Sequence, residues 1–253
     1  KPSKVEIAWF KHTLAVAQVS DSVNSFPPQL NIYAIGQSRI GLIHSISSPC
    51  YSLGTSLASF QHGLYATAPA SAFRWGEPSP LIYRIITPNY TMIRLSEHAL
   101  TPYGETFATS KKGTFQILCS PYSSKDCIIL NKGQVRKINS TNTVDLFGQG
   151  IGISTNGSSF VIVSRKQANG NANIDFYSNY GISPYLNVKD NISIISSFEI
   201  PYKNSMTSRS TSPIIQYIND VIVVIAFPDI NKLIVFRYNF TKWIIKKSID
   251  VEF

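Results

Sequence analysis

The sequence predicts an all-β protein, and three observations carry that expectation. Short runs of β-branched and aromatic residues alternate between clusters of turn residues. No segment beyond about ten residues shows the 3.6-residue apolar period of a helix. The runs also come in recurring groups of four, and such repetition decides a fold before any single element does.

The first group reads VEIAWF, TLAVAQVS, QLNIYAIG and RIGLIHSIS, with tight turns at Lys11-His12 and Gly36-Gln37-Ser38 and a longer Ser/Pro-rich segment, 21–28, between its middle strands. The second reads TSLASF, GLYATAP, PLIYRII and YTMIRLS; the third GETFAT, GTFQILCS, DCIILN and QVRKIN. In the fourth, QGIGIST, SFVIVSR and ANIDFYS are followed by a strand that is hard to place between Tyr185 and Ile200. The fifth is SPIIQYI, DVIVVIAF, KLIVFRY and KWIIKKSIDV.

Second strands begin near Thr13, Gly63, Thr114, Ser159 and Val221, giving spacings of 50, 51, 45 and 62 residues. Four strands per unit at a period of roughly 40–50 residues is the signature of a β-propeller. The expected fold is therefore a five-bladed β-propeller of four-stranded antiparallel blades, one domain over 1–253. Its blades cover about 4–48, 54–98, 104–141, 148–200 and 212–253. A lone blade leaves apolar faces bare, so neighbours must stack. Second strands such as Val221-Ile222-Val223-Val224-Ile225 are apolar on both faces, as strands between two blades must be. Arg39, Arg94, Arg136, Lys137, Lys246 and Lys247 fall on fourth strands, where charge protects an outer edge from further pairing.

In strand order, and in first turns such as Thr155-Asn156-Gly157-Ser158 and Ser110-Lys111-Lys112-Gly113, the units resemble the WD-repeat-like propeller superfamily over essentially the whole chain. The Trp-Asp dipeptide of that family is absent from every unit, and only His98 matches its recurring histidine. The resemblance implies a fold and leaves function open.

Composition narrows the function classes. Charged residues are 15% of the chain, against about 25% in typical soluble domains. With abundant Ser, Thr, Asn and Tyr, this suits an extracellular or virion protein better than a cytoplasmic enzyme. A net charge of +9 suits acidic partners or merely a basic, soluble surface. Yet basic residues never run beyond pairs, so there is no basic tail or nucleic-acid arm and no strong nucleic-acid signature. The longest apolar run, from Val221 to Phe227, is strand-sized, and no stretch nears the roughly 20 residues of a transmembrane helix. The chain begins at Lys1, which reads as a trimmed product, and shows no signal peptide.

Three cysteines occur, without Cys-x-x-Cys or Cys/His clusters, so neither a metal site nor a cofactor is expected. Cys119 and Cys127 flank the loop 121–125 symmetrically and would face each other across a hairpin, as a disulfide or as two reduced thiols. Cys50 is left over. Asn89, Asn139, Asn156, Asn191 and Asn239 are candidate glycosylation sites.

Long connections gather on one expected face: 21–28, 69–80, 166–173 and 203–212, opposite tight turns. Loops on a rigid scaffold are where binding residues concentrate. Phe73, Arg74 and Trp75 are residue types enriched at interface hot spots. They would equally serve as a plug for the ring. Arg165 and Lys166 open a basic loop suited to anionic groups or merely to solvent.

Catalytic signatures are missing. Glycoside hydrolysis needs two carboxylates about 5–9 Å apart, and Glu6, Glu77, Glu97, Glu105, Asp145 and Glu199 share no inner position. There is no Gly-x-Ser-x-Gly elbow. His12 and His62 occupy equivalent turns, His44 reads as packing, and no helix follows the glycines of 148–152. The expectation is a non-enzymatic binding or structural module meeting a protein or glycan partner. A carbohydrate-active propeller (lectin or hydrolase) is the first alternative, and an intracellular WD-repeat-like scaffold in the cytoplasm the second.

Overall fold

The structure, a computed structural model, describes residues 4–19, 29–36, 39–47, 53–68, 81–94, 105–122, 125–131, 134–139, 146–166, 170–178, 192–201 and 212–251. Among these residues twenty strands form five antiparallel sheets of four, each with its strands in chain order. The first holds β1 (Lys4–Phe10), β2 (Thr13–Val19), β3 (Gln29–Ile35) and β4 (Ile40–Ser47). The second holds β5 (Leu57–Phe60), β6 (Gly63–Ala68), β7 (Leu81–Ile86) and β8 (Thr91–Arg94). β9 (Thr106–Thr109), β10 (Phe115–Cys119), β11 (Asp126–Asn131) and β12 (Gln134–Asn139) make the third. The fourth is β13 (Leu146–Ile153), β14 (Ser159–Arg165), β15 (Ala172–Ser178) and β16 (Ser193–Ile200). β17 (Ile214–Asn219), β18 (Ile222–Phe227), β19 (Lys232–Tyr238) and β20 (Trp243–Asp250) complete the fifth.

Each observed second strand starts within one residue of the position read from the sequence. The unplaced strand of the fourth unit is β16, and β13 begins at Leu146, ahead of the expected 148. One length expectation differs. The connection 179–192, from β15 to β16, lies at the sheet end where only tight turns were foreseen.

The chain divides into two compact units, Lys1–Ser124 and Lys125–Phe253. In the first unit, register places Ala8 opposite Ala15 and Ala15 opposite Ile32. Small side chains on the inner strands and larger ones further out let the first two sheets close on each other. Their shared core joins Ala8, Phe10, Ala15, Ala17, Leu30, Ile32 and Ile46 to Leu64, Ala66, Ala68 and Ile85. His44 stacks on Tyr90 at 5.6 Å between centroids, the packing role its position suggested.

In the second unit, the fourth and fifth sheets enclose Val161, Val163, Ile174 and Phe176 with Tyr217, Val223, Ile225, Phe236 and Trp243. β14 is buried at every residue, as a central strand between apolar faces must be. Gly152 permits the approach of β17: a Cβ there would stand 2.4 Å from Ile215 Cγ2.

The first turns of the third and fourth sheets use one device. Ser110 Oγ accepts from the Phe115 N–H and Ser154 Oγ from the Ser159 N–H, at 3.2 and 3.0 Å. Gly113 and Gly157 each return an N–H to that serine's carbonyl at φ near +75° and +79°, a conformation glycine adopts without a Cβ penalty. Cys119 and Cys127 are disulfide-bonded and buried.

Candidate partner-binding site

The basic residues singled out in the sequence sit in the second unit, where β14 ends. Arg165 is the last residue of that strand, in register with Leu146 on β13 and Ala172 on β15, and is only 2% exposed. The loop reading put it in solvent; pairing on both flanks is what buries it. Its Nη2 donates to Asp229 Oδ2 at 2.8 Å. Asp229 lies in a 3-10 turn, Pro228–Ile230, between β18 and β19, closed by Asn231 donating its N–H to the Pro228 carbonyl.

Lys166, one residue on, is part-exposed. Its Nζ donates to Glu199 Oε1 at 3.4 Å, and Asn171 Nδ2 donates to the same oxygen at 2.7 Å. The turn is tied by Lys166 N–H to the Asn171 carbonyl and Gly170 N–H to the Lys166 carbonyl. The Asn171 hydrogen bond, then Lys166, holds the Glu199 carboxyl below the usual carboxylate range. So both cations face carboxylates of their own chain. Arg165 is an internal anchor, while Lys166, Asn171 and Glu199 form a polar, charge-balanced rim.

Two buried polar groups near this end escaped the sequence reading. Gln149 lies in β13 where the register slips between Leu146 and Gly150, a bulge opposite the residues before Arg165. It is fully buried, and neither end of its amide has a hydrogen-bond partner in the chain among the described residues; nor has Ser164 Oγ. An unbonded buried amide costs about 1–3 kcal/mol. Gln149→Met, close in volume, should therefore raise the unfolding free energy by about 1 kcal/mol in urea titrations. A fall of that size would mean instead that the amide is hydrogen-bonded in the folded chain.

Asp175 is the other, in the middle of β15, where ANIDFYS carries one acid among buried neighbours. Ser197 Oγ donates to its Oδ1 at 2.5 Å. Burial pushes its carboxyl above the ordinary 3.8, and the serine hydrogen bond partly opposes this. The folded state thus holds the proton more tightly than the unfolded one. This group's contribution to stability is full below pH 3.8 and is lost as pH rises through the folded value. Asp175→Asn should raise stability at neutral pH and leave it unchanged at acid pH, when chemical-denaturation midpoints of parent and variant are compared across that range.

The remaining candidates are scattered. Glu105 Oε2 accepts from the Tyr122 N–H at 2.9 Å, far in sequence from the Glu199 cluster, and Glu6 lies in β1. Among the described residues no group of three His, Cys, Asp or Glu could hold a metal. Asn89, Asn139, Asn156 and Asn239 are exposed. Phe73, Arg74, Trp75 and Asn191, with Glu77, Glu97 and Asp145, lie outside the described residues.

No protein-family model matches this chain, and no curated protein matches it. Solved structures do. Hsv2 of Kluyveromyces lactis is similar at 16% identity and a TM-score of 0.61, over 99% of this chain and 74% of that one. Hsv2 from Kluyveromyces marxianus gives 14% and 0.57, over 98% and 73%. A Bacteroides fragilis protein provisionally assigned as a 6-phosphogluconolactonase gives 11% and 0.54, over 99% and 85%. Identities this low show the fold alone. With five four-stranded antiparallel sheets, that fold is the five-bladed β-propeller class.

Proposed function

We propose that this chain is a non-enzymatic binding module that presents the connections at one end of its sheets to a protein or glycan partner. The distribution of connection lengths carries the reading. At the first-to-second-strand ends, Lys11-His12, Gln61-His62 and Asp220-Val221 suffice. At the other end run 20–28, 48–56, 69–80, 95–105 and 201–213, and 179–192 is the one long connection at the tight-turn end. Long segments on a paired scaffold are free to vary and to bind. The rim of Lys166, Asn171 and Glu199 lies at that same end of its sheet.

A location outside the cytosol, on a cell surface, in the secreted fraction or on a virion, accompanies this reading. The Cys119–Cys127 bridge supports it, because disulfides persist in oxidising compartments. The exposed sequons are compatible with glycans there.

Glycan arrays and affinity capture from an extracellular extract test the reading. Binding should fall at least tenfold in Trp75→Ala or in Lys166→Glu. Unchanged binding in both would reject the site, and turnover of a glycoside by the parent chain would reject the non-enzymatic reading.

A further inference from the structure

Within the second unit, three polar side chains gather where the fourth and fifth sheets pack together, at the end that carries the tight first turns. Gly150 of β13 lies against Pro213, and Gly152 against Ile215, so β13 and β17 advance side by side. Two residues further on, Tyr217 comes level with Ser154. Ser154 is joined to Ser159 by two hydrogen bonds. Its N–H donates to the Ser159 carbonyl at 2.9 Å, and the Ser159 N–H donates to its Oγ at 3.0 Å. Ser159 shares a strand face with Val161 and Val163, which pack in one core with Tyr217 of the fifth sheet. Asp220 follows β17 in the turn that Asn219 Oδ1 closes by accepting the Val221 N–H at 3.0 Å.

Tyr217 is 7% exposed and Ser159 8%. Asp220 is part-exposed, but its Oδ1 is buried. None of Tyr217 OH, Ser159 Oγ and Asp220 Oδ1 has a hydrogen-bond partner among the described residues. Burial pushes the phenol above its ordinary 10.0; the Ser159 hydroxyl opposes that rise and the Asp220 carboxylate adds to it. Both groups therefore lie close to the phenol, which stays neutral at physiological pH. A hydroxyl beside a carboxylate ordinarily donates to it, and a buried carboxylate oxygen without a donor is costly. Oxygens held near one another but unbonded suit a shared cation better than they suit each other. Hard cations take oxygen ligands. One carboxylate and two neutral hydroxyls supply a single negative charge, which a monovalent ion balances.

We propose that Ser159, Tyr217 and Asp220 bind a sodium or potassium ion that ties the first turn of the fifth sheet to β14 of the fourth. The ion holds the seam between two sheets whose other contacts are apolar side chains. Because the three oxygens meet only in the folded chain, the ion stabilises that state by mass action.

Thermal unfolding of the full chain in sodium, potassium or choline chloride, each at about 0.15 M, tests this. Choline is too large for the site and keeps the ionic strength equal, so charge screening is the same in all three. Sodium or potassium should raise the unfolding midpoint by about 3 °C over choline, and the rise should grow with the logarithm of its concentration. Tyr217→Phe keeps the ring and Asp220→Asn keeps the side-chain shape, yet each removes a ligand and should erase the difference between salts. That difference is read within each protein, so a general loss of stability does not imitate it. The parent's comparison stands alone if a variant fails to fold. Equal midpoints of the parent in all three salts would show that water at most lies among these oxygens, and would overturn the proposal. A cation preference that survives Asp220→Asn overturns it as well.

Discussion

Replacing Trp243 by alanine should lower the unfolding free energy by about 4 kcal/mol, the largest loss expected from a single side chain here. The residue opens β20 and is 2% exposed. Its ring stacks on Phe176 with centroids 4.5 Å apart and planes at 16°, meets Tyr217 edge-on at 6.1 Å, and lies 5.5 Å from Tyr238. Phe176 in turn contacts Phe198 and Phe236 at 6.1 and 5.1 Å. One truncation therefore opens a cavity that four strands border. Cavities of that kind are costly because packed neighbours relax only in part. The backbone is bound at the same point, where the Trp243 N–H donates to Ser196 Oγ at 2.8 Å, so the strand cannot shift freely to fill the space. The indole Nε1 has no hydrogen-bond partner among the described residues, so Trp243→Phe forfeits no bond and should cost less than half as much. Equilibrium urea unfolding of both variants measures this. Equal losses would mean that indole shape, rather than aromatic filling, holds the two sheets together.

The fold was legible because its signals are local and repeated. Strand alternation and turn residues recur in every unit, and the second strands could be placed within one residue because β18 carries no polar side chain and the run Phe160 to Val163 of β14 none. β16 was obscure for a physical reason: SIISSFEI is an edge strand with a mostly exposed face, so its pattern resembles that of a loop. The site was less legible. Arg165 follows SFVIVS and precedes a polar loop, and from sequence either side of that boundary is equally natural. Its burial depends on pairing with β13 and β15, and its buried charge meets Asp229, 64 residues away. Asp175 offered a signal that could have been used, a single acid in an otherwise buried strand. Gln149 offered none, because a bulge arises from pairing between two strands and leaves no mark on one of them.

Breaking the Arg165–Asp229 pair from its two sides should have unequal consequences. Asp229→Ala leaves a guanidinium that is 2% exposed without this carboxylate, and should cost about 3 kcal/mol. Arg165→Met leaves a carboxylate that is 23% exposed, which water can partly hydrate, while the methionine fills much of the volume of the arginine stem. That change should cost about 1 kcal/mol or less, because an apolar residue of similar size often replaces a buried charge at little loss. The double variant should then be no worse than Arg165→Met alone, giving a coupling energy of about 3 kcal/mol between the positions. The asymmetry follows from desolvation: the deeper charge depends more on its partner than the shallower one does. Urea midpoints of the four proteins complete the cycle. Additive losses would show that Arg165 is held by its other contacts, and would remove the reason for regarding it as an internal anchor that sets the position of Lys166 on the rim.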